Sequence, residues 1–277
     1  MLSRQNGTGV EASVPFYCML TVLAESKTMG SIQNPVDERE FEMHKPVLEE
    51  QADILMAGMA SMSPSNIAEK LGISGALAVK AHTLAYDFPH KLTGYKAINA
   101  FTGEAYRGLD INSLQEDSLK DIEDKLRIIS SVYGILKPSD IIKPYRCEFN
   151  KGIAPGGKTP IQLFKSKNTI DLVNFVKERK VNDIIDLLPG DADKSIDWKI
   201  VRAYCKVHKV CFQAITAEGK LKTPIARRLK ELRGNMTREI LERGIDSFAE
   251  LIKLETTDFI YSPNDSRPGL PVFITTE

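Results

Sequence analysis

The stretch LRIISSVYGILKPSDIIKPYRCE, from Leu126 to Glu148, decides the fold more than any other part of this chain. Its first part, Leu126–Leu136, is rich in β-branched and aromatic residues, which is typical of a buried strand. Pro138 and Pro144 then bracket a segment rich in turn-forming residues. The stretch therefore predicts one buried strand followed by a rigid loop.

Segments on both sides of this stretch predict further strands and helices. The predicted strands are 19–23, 183–188, 207–215, 259–261 and 272–275. The predicted helices are 47–62, 65–71, 76–86, 113–126, 160–180 and 223–243. A capping box of Ser113 and Glu116 opens the fourth helix, and Thr223–Pro224 forms an N-cap and N1 pair for the last. Because no regular βαβ rhythm is present, we expect a mixed α/β (α+β) fold, a single compact domain with a mixed sheet surrounded by helices.

The first residues, MLSRQNGTGVEASVPFYC, differ in character from the rest of the chain. They are polar with a short apolar end, and they lack the apolar core of about 7–15 residues that a secretory signal needs. We interpret residues 1–18 as a disordered extension, or as a start assigned too early. Residues 19–277 are then the folded domain.

The overall charge favours no particular partner. Lysine plus arginine number 37, aspartate plus glutamate also number 37, and the net charge is zero. Binding to nucleic acid therefore needs a local basic patch, because phosphates are bound by clustered cations. No run of about 18 apolar residues predicts a membrane span. The four cysteines include no C-x-x-C pair, which indicates free thiols in a reducing compartment, and we expect a cytoplasmic protein.

The segment GIAPGGKT, Gly152–Thr159, satisfies the P-loop pattern G-x-x-x-x-G-K-[ST] in full. In a P-loop the backbone amides hold phosphates and the lysine neutralises them. The context is poor, because CEFNK rather than a buried strand precedes the motif, and Pro160 stands where the helix should donate amides. A glycine-rich surface loop is the favoured interpretation, and a P-loop NTPase is the alternative.

Cys205, His208 and Cys211 spell C-x-x-H-x-x-C, which offers three potential zinc ligands. A fourth ligand has no obvious source, and the three residues straddle a predicted helix–strand junction. Cysteines of the core are therefore favoured over a metal site. We expect no metal and no cofactor.

Residues Ile67–Ala81, IAEKLGISGALAVKA, are similar to a helix-hairpin-helix, in which turn amides and a helix N-terminus bind a DNA phosphate. Lys70 and Lys80 flank the turn. The spacing G-I-S-G departs from the usual G-h-G hairpin. An ordinary αα-hairpin that serves only the core is therefore an equal alternative.

Two further segments are candidates for binding anions. The loop Lys137–Glu148 is held by prolines and suits either a binding site or a structural turn with an internal ion pair. Its polar and aromatic residues are Asp140, Lys143, Tyr145, Arg146 and Glu148. The segment Lys220–Arg238 carries seven cations, including Lys230 and Arg233, and one acid, Glu231. It predicts either a phosphate-binding surface or a solvated helix face.

Four segments together resemble the peroxide stress protein YaaA family. The long, ordered match is AFTGEAYRGL (Ala100–Leu109) followed by Leu126–Glu148, and MLTVLAESKT (Met19–Thr28) and RGNMTR (Arg233–Arg238) add weaker matches. The resemblance implies a compact mixed α/β fold with a positively charged cleft and a helix-hairpin-helix element. It also implies a role in limiting peroxide damage and in DNA binding. Because the family carries a Gly-Lys turn at this place without being P-loop enzymes, the resemblance also accounts for the P-loop pattern.

The chain departs from the family pattern at three places, as a diverged member would. Ala24, Glu25 and Ser26 replace the Ser, Pro and Ala of the family's opening turn. Lys165 stands where the family has tryptophan. The segment LLPGDAD, Leu187–Asp193, keeps neither the serine nor the glutamate of the corresponding family segment.

The first functional hypothesis is a non-enzymatic stress protein that binds DNA through a basic cleft. Its phosphate-binding residues are Lys27, Lys70, Lys80, Lys143, Arg146, Lys230, Arg233 and Arg238, with Tyr145 stacking on a base or sugar. No obligate protein partner is evident. The second hypothesis is an enzyme acting on a nucleotide or modified base, with Glu148 as the general acid/base or as a structural partner. No catalytic residue is otherwise assigned.

Overall fold

The computed structural model describes residues 19–30, 43–90 and 94–275, so the predicted extension 1–18 lies outside the described residues. Eleven strands are present in this part of the chain. They are β1 (Met19–Ala24), β2 (Tyr95–Lys96), β3 (Leu126–Ser130), β4 (Gly134–Leu136), β5 (Ile141–Ile142), β6 (Asp183–Asp186), β7 (Lys206–Lys209), β8 (Cys211–Ile215), β9 (Leu221–Lys222), β10 (Phe259–Arg267) and β11 (Leu270–Thr275). They confirm a mixed α/β fold.

The helices that surround these strands vary from one turn to five turns. They are α1 (Glu49–Ala60), α2 (Pro64–Leu71), α3 (Gly75–Asp87), α4 (Ala97–Ala100), α5 (Glu104–Leu109), α6 (Glu116–Leu119), α7 (Ile122–Lys125), α8 (Pro160–Arg179), α9 (Gly190–Asp193), α10 (Trp198–Val201), α11 (Ala226–Glu242) and α12 (Phe248–Leu251). Across the described ranges, none of them has the length and apolar character needed to cross a membrane.

A five-stranded sheet in the order β4-β3-β1-β6-β7 forms the centre of the molecule. β1 pairs in parallel with β3 and with β6, β6 pairs in parallel with β7, and β4 is antiparallel to β3. All six residues of β1 are buried. Leu20 and Val22 join the hydrophobic cluster that contains α8 residues, whereas Met19 and Leu23 join the cluster that contains α1 and α3 residues. Because both faces of the sheet are covered, β1 is a nearly continuous apolar run, interrupted only by the buried Thr21.

A second sheet has the order β10-β11-β8-β9, and β2 pairs with β5 in a small separate sheet. The prediction of one strand over 207–215 is wrong, because the chain changes sheets at Val210. β7 pairs with β6 in the central sheet, while β8 pairs with β11 in the second sheet. This change of partner depends on strands distant in sequence, so local composition does not reveal it.

The single strand predicted for Leu126–Leu136 is also wrong, since the segment forms the β3–β4 hairpin. The hydroxyl of Ser130 accepts hydrogen bonds from the backbone N–H groups of Val132 (3.1 Å) and Tyr133 (2.9 Å). Gly134 has a φ of 68°, which L residues with side chains rarely adopt. The serine side chain and the glycine together reverse the chain.

The predicted helix starts are confirmed at some positions and wrong at others. The predicted start of a helix at Pro160 is confirmed, and Thr159 caps this helix, α8, through a capping box with Gln162. The Ser113 capping box is wrong, because its hydroxyl donates to the carbonyl of Asp110 (2.8 Å) and the segment forms the separate short helices α6 and α7. The last long helix is confirmed, although it begins at Ala226 without a side-chain cap.

Candidate functional site

The carboxyl ends of β1 and β6 form the natural place for a site in this sheet. The chain leaving β1 leads to β3 on one side, and the chain leaving β6 leads to β7 on the other side. Loops that leave adjacent parallel strands in opposite directions open a crevice between them. Residues 25–27 after β1 line this crevice, and so do Leu187 and residues 189–191 after β6.

The crevice is a cavity of about 430 Å³, which we call the strand-end cavity. Its apolar walls come from the end of β1, from the loop after β6, from α5 and from Phe149. The apolar lining residues are Leu23, Ala24, Ala105, Phe149, Leu187 and Pro189. The charged lining residues are Glu25, Lys27, Glu104, Glu148, Asp191, Lys230 and Arg233. The volume lies within the range of about 300–1,000 Å³ that is typical of small-ligand sites.

Helices α5 and α11 pack with almost no distance between their backbones, and this contact places the cations at the cavity. A Cβ added to Gly234 would lie 1.8 Å from the carbonyl oxygen of Ala105. A Cβ added to Gly108 would lie 2.6 Å from the carbonyl oxygen of Glu231. Only glycine permits this approach. Lys230 and Arg233, on the same helix as Gly234, are thereby held beside the loop that follows β1.

The start of α5 also holds the loop that follows β1. The hydroxyl of Tyr106 donates a hydrogen bond to the carbonyl oxygen of Ala24 (3.1 Å). A Cβ added to Gly103 would lie 2.0 Å from the hydroxyl oxygen of Ser26. The segments Ala100–Leu109 and Arg233–Arg238 therefore form one interlocked unit with the loop after β1.

Arg233 is the most unusual residue of the strand-end cavity. It is half-buried, and its guanidinium makes no hydrogen bond or ion pair with any residue within the described ranges. Burial lowers the pKa of Arg233, while the charge of Asp186 acts in the opposite direction. A cation that has lost solvent without gaining a directly bonded counter-ion is costly to the fold. The neighbouring Lys230 is exposed and likewise has no partner among the described residues.

Lys27, Arg146 and Glu148 meet in one ion-pair cluster at the cavity. The Glu148 carboxylate accepts hydrogen bonds from Lys27 and from Arg146, the latter at 3.3 Å. Arg146 also donates to the backbone carbonyl of Lys27 (3.3 Å). The structure therefore brings these predicted residues together, although two of the cations share one carboxylate.

Glu25 is a largely buried carboxylate at the cavity, a departure from the family pattern that the sequence did not assign to the site. It accepts hydrogen bonds from the backbone N–H (2.8 Å) and hydroxyl (2.6 Å) of Ser131, and from the Tyr145 hydroxyl. Burial raises the pKa of Glu25, and these hydrogen bonds act against that rise. Burial together with the charge of Glu25 raises the pKa of Cys147 to about 12, so this thiol stays protonated. The position directly after a buried central strand was the signal that could have identified Glu25.

Tyr145 lies in the interior rather than on the surface. The residue is 4% exposed, and its hydroxyl lies 2.7 Å from the hydroxyl of Ser130. Since Ser130 already accepts two backbone N–H groups, it donates its proton to Tyr145, which in turn donates to Glu25. Burial raises the pKa of Tyr145. The ring holds Glu25 in place and presents no free face on which a base stacks.

The remaining predicted cations lie away from the lining of the strand-end cavity. Lys143 donates to the carbonyl of Phe88 (3.0 Å), and Arg238 donates to the carbonyls at the end of α5. Lys70 donates to the carbonyl of Gly152 (3.3 Å), while Lys80 is exposed on α3. α2 and α3 form the predicted αα-hairpin, and its DNA-binding role stays a prediction.

The P-loop pattern is followed by helix α8 but lacks the buried strand that should directly precede it. The strand before it, β5, ends at Ile142 and belongs to the small sheet with β2. The Thr159 hydroxyl accepts the N–H of Gln162 as a helix cap, so it is not presented to a metal.

Cys205 and Cys211 lie on either side of β7, and no group of three or more His, Cys, Asp or Glu side chains in the described ranges is placed to hold a metal ion.

Comparison with known proteins gives a consistent picture. The family described as "Peroxide stress protein YaaA" matches residues 19–265. A protein of Shewanella halifaxensis (strain HAW-EB4), described as a UPF0246 protein, is 30% identical over 92% of this chain and 98% of its own length. A UPF0246 protein of Shewanella denitrificans (strain OS217 / ATCC BAA-1090 / DSM 15013) is 30% identical over 94% of this chain and 99% of its own length. The likeness therefore extends over almost the whole of both proteins.

Proposed function

Because the chain belongs to the peroxide stress protein YaaA family, we propose that it serves in the response to peroxide stress by binding DNA phosphates at the strand-end cavity. The family name supports the stress role. Two cations of the cavity that have no partner among the described residues, Lys230 and Arg233, support the DNA phosphate as the ligand.

The carboxylates of the cavity are already matched by partners within the chain. Glu148 is paired with two cations, and Glu104 is paired with Arg107 (3.1 Å) and Arg227 (3.4 Å). Asp191 accepts a hydrogen bond from Asn150 (3.2 Å). Lys230 and Arg233 are the lining charges left without a partner among the described residues, and both are positive. The unmatched Arg233 is the single observation that carries the proposal.

The shape of the cavity favours DNA in which one nucleotide is extruded or unpaired. A volume of about 430 Å³ is too small for a duplex, whereas it accommodates a single nucleotide. Phe149 and the apolar wall supply a surface for a base, while the two free cations supply contacts to the phosphates. Unstacking costs least at a bulge or mismatch, so distorted DNA should bind more tightly than an intact duplex.

Fluorescence anisotropy with labelled DNA tests the proposal. An oligonucleotide duplex with one bulged nucleotide and the matching intact duplex are compared at low salt. We expect Arg233→Gln with Lys230→Gln to weaken binding at least about tenfold, since each contact to a charged group contributes about 1.5–3 kcal/mol. Lys199→Gln, on an exposed residue outside the cavity, is the matched control and should bind as the wild type does.

Thermal unfolding separates loss of the ligand contact from loss of the fold. Removal of a desolvated cation without a counter-ion should leave the Tm of Arg233→Gln equal to or above that of the wild type. Full binding by the double variant, or no binding of either DNA by the wild type at low salt, would exclude the cavity as the DNA site.

An enzyme acting on a nucleotide or modified base is the second candidate, and Glu25 is the observation that favours it. A carboxyl group whose pKa is raised by burial is suited to exchanging a proton during a reaction. Glu25 fits this role better than Glu148, whose carboxylate is engaged by two cations. A nucleoside monophosphate that raises the Tm and is turned over by the wild type, but not by Glu25→Gln, would support an enzyme. Absence of any such thermal shift would count against it.

A further inference from the structure

A second cavity, of about 660 Å³, lies at the opposite end of the sheet from the strand-end cavity. It is formed beside the beginning of β7 by the turn before that strand, by Phe248 of α12 and by the tip of the β10–β11 hairpin. Lys206, the first residue of β7, is in register with Asp183, the first residue of β6. We call this second cavity the hairpin cavity.

The positive charge of the hairpin cavity is not balanced by acids. Its lining contains Arg202, Lys206 and Arg267 and no aspartate or glutamate. All three cations are exposed, and none has a hydrogen bond or ion pair from its side chain to a residue in the described part of the chain. The strand-end cavity, in contrast, has four lining carboxylates beside its three cations. This unbalanced positive charge attracts an anion to the hairpin cavity, although the cavity lies away from the carboxyl ends of the strands.

A histidine held by an aspartate lies in the wall of the hairpin cavity. His208 is 8% exposed, and its Nε2 lies 2.6 Å from the Oδ1 of Asp183. Its ring stacks on Phe248 with the centroids 3.8 Å apart and the planes 9° apart. The other ring nitrogen, Nδ1, has no hydrogen-bond partner among the described residues. A histidine fixed through one nitrogen presents the other nitrogen in a defined position.

The rest of the hairpin cavity is aromatic and stiff. Phe248 packs edge-to-face on Tyr261, with the centroids 6.5 Å apart. Pro263, Pro268 and Pro271 line the same cavity, and proline fixes the backbone at each of these positions of the hairpin. The backbone N–H of Lys209 donates to the carbonyl of Gly269 (2.9 Å), which ties the hairpin to β7. The cavity is thus preformed, with a planar apolar part beside a cationic part.

We infer that the hairpin cavity binds a nucleoside phosphate. The phosphate lies against Arg202, Lys206 and Arg267, and the base lies against the wall formed by Phe248, Tyr261 and the prolines. His208 donates its Nε2–H to Asp183, so its Nδ1 accepts a hydrogen bond from the ligand. Arginine forks match phosphate oxygens, and aromatic side chains stack on every base, so this combination recognises the class and not one base.

Isothermal titration with AMP, with adenosine and with inorganic phosphate tests the two halves of the cavity separately. We expect AMP to bind at least about tenfold more tightly than either adenosine or phosphate, because only AMP meets both halves. Arg202→Gln with Arg267→Gln should weaken AMP binding at least about tenfold and leave the Tm unchanged, since both side chains are exposed. Lys167→Gln, on an exposed residue outside both cavities, is the matched control and should leave AMP binding unchanged.

NMR of the histidine rings locates the ligand. The chain has four histidines, and of these His208 alone lines the hairpin cavity. AMP should therefore shift the ring signals that disappear in His208→Asn, and it should leave the other three sets in place. No AMP binding at millimolar concentration overturns the inference. So does binding that Arg233→Gln abolishes, or an AMP affinity no greater than that of adenosine or phosphate.

Discussion

Replacing Gly234 by alanine is the sharpest perturbation of the unit that places Lys230 and Arg233. The new Cβ would lie 1.8 Å from the Ala105 carbonyl oxygen, whereas Cβ contacts below 3.0 Å are essentially never found. Helices α5 and α11 must therefore move apart by about 1.2 Å, the difference between these distances. The opposing atom belongs to the backbone, so no flexible side chain relieves the contact.

The expected loss of stability is about 3 kcal/mol, the upper part of the usual range for overpacking, because buried side chains on both helices lose contact as well. These include Tyr106 and Leu109 on α5 and Leu232 and Met236 on α11. With a urea m-value of about 3 kcal/mol/M, the midpoint of unfolding falls by about 1 M.

Urea unfolding followed by circular dichroism measures this change, with Gly58→Ala as the matched control. Gly58 is also inside a helix, and a Cβ added there meets nothing within 4 Å. Alanine at this position should stabilise the protein by about 0.4–1 kcal/mol, because it restricts the unfolded chain. If Gly234→Ala unfolds at the wild-type midpoint, the reasoning about backbone contact between α5 and α11 is refuted.

Two further predictions concern residues outside the cavities. Burial raises the pKa of Asp140 to about 7, so its contribution to stability is present at low pH and is lost as the pH rises towards 7. The stability of Asp140→Asn relative to the wild type should therefore increase from pH 4 to pH 7 in urea unfolding, and a constant difference would contradict this. Arg238 donates hydrogen bonds to the carbonyls of Leu109 and Asp110 and to Ser113. Arg238→Met should lower stability by about 1–3 kcal/mol and leave DNA affinity unchanged, and a selective loss of affinity would return Arg238 to the DNA site.

The sequence predicted elements whose signals are local. The start of α8 at Pro160 and the apolar run of β1 are examples, because a proline at the first helical position and a doubly buried strand each leave a pattern within a few residues. The β3–β4 hairpin was missed, since its reversal depends on the Ser130 side chain and on Gly134 inside an apolar run. The change of sheet at Val210 was missed because it depends on the distant strand β11.

The residues of the site could be predicted only in part from the sequence, for the same physical reason. Family resemblance brought Lys27, Glu148 and Arg233 forward, and the fold does place them around one cavity. The lack of a counter-ion at Arg233 and the burial of Glu25 are properties of the packed chain, so residue type alone does not show them. By residue type, Tyr145 and Arg238 fit a DNA-binding surface as well as the other predicted residues do. In the folded chain, both side chains instead make hydrogen bonds within the protein.

The salt dependence of DNA binding by the wild type and by Arg233→Gln tests the proposed function most directly. With about two or three phosphate contacts, the logarithm of the binding constant should fall against the logarithm of salt concentration with a slope of about −2 to −3. Loss of Arg233 should make this slope shallower by about one unit and weaken binding at every salt concentration. A variant with the wild-type slope and affinity would contradict the assignment of Arg233 to a DNA phosphate.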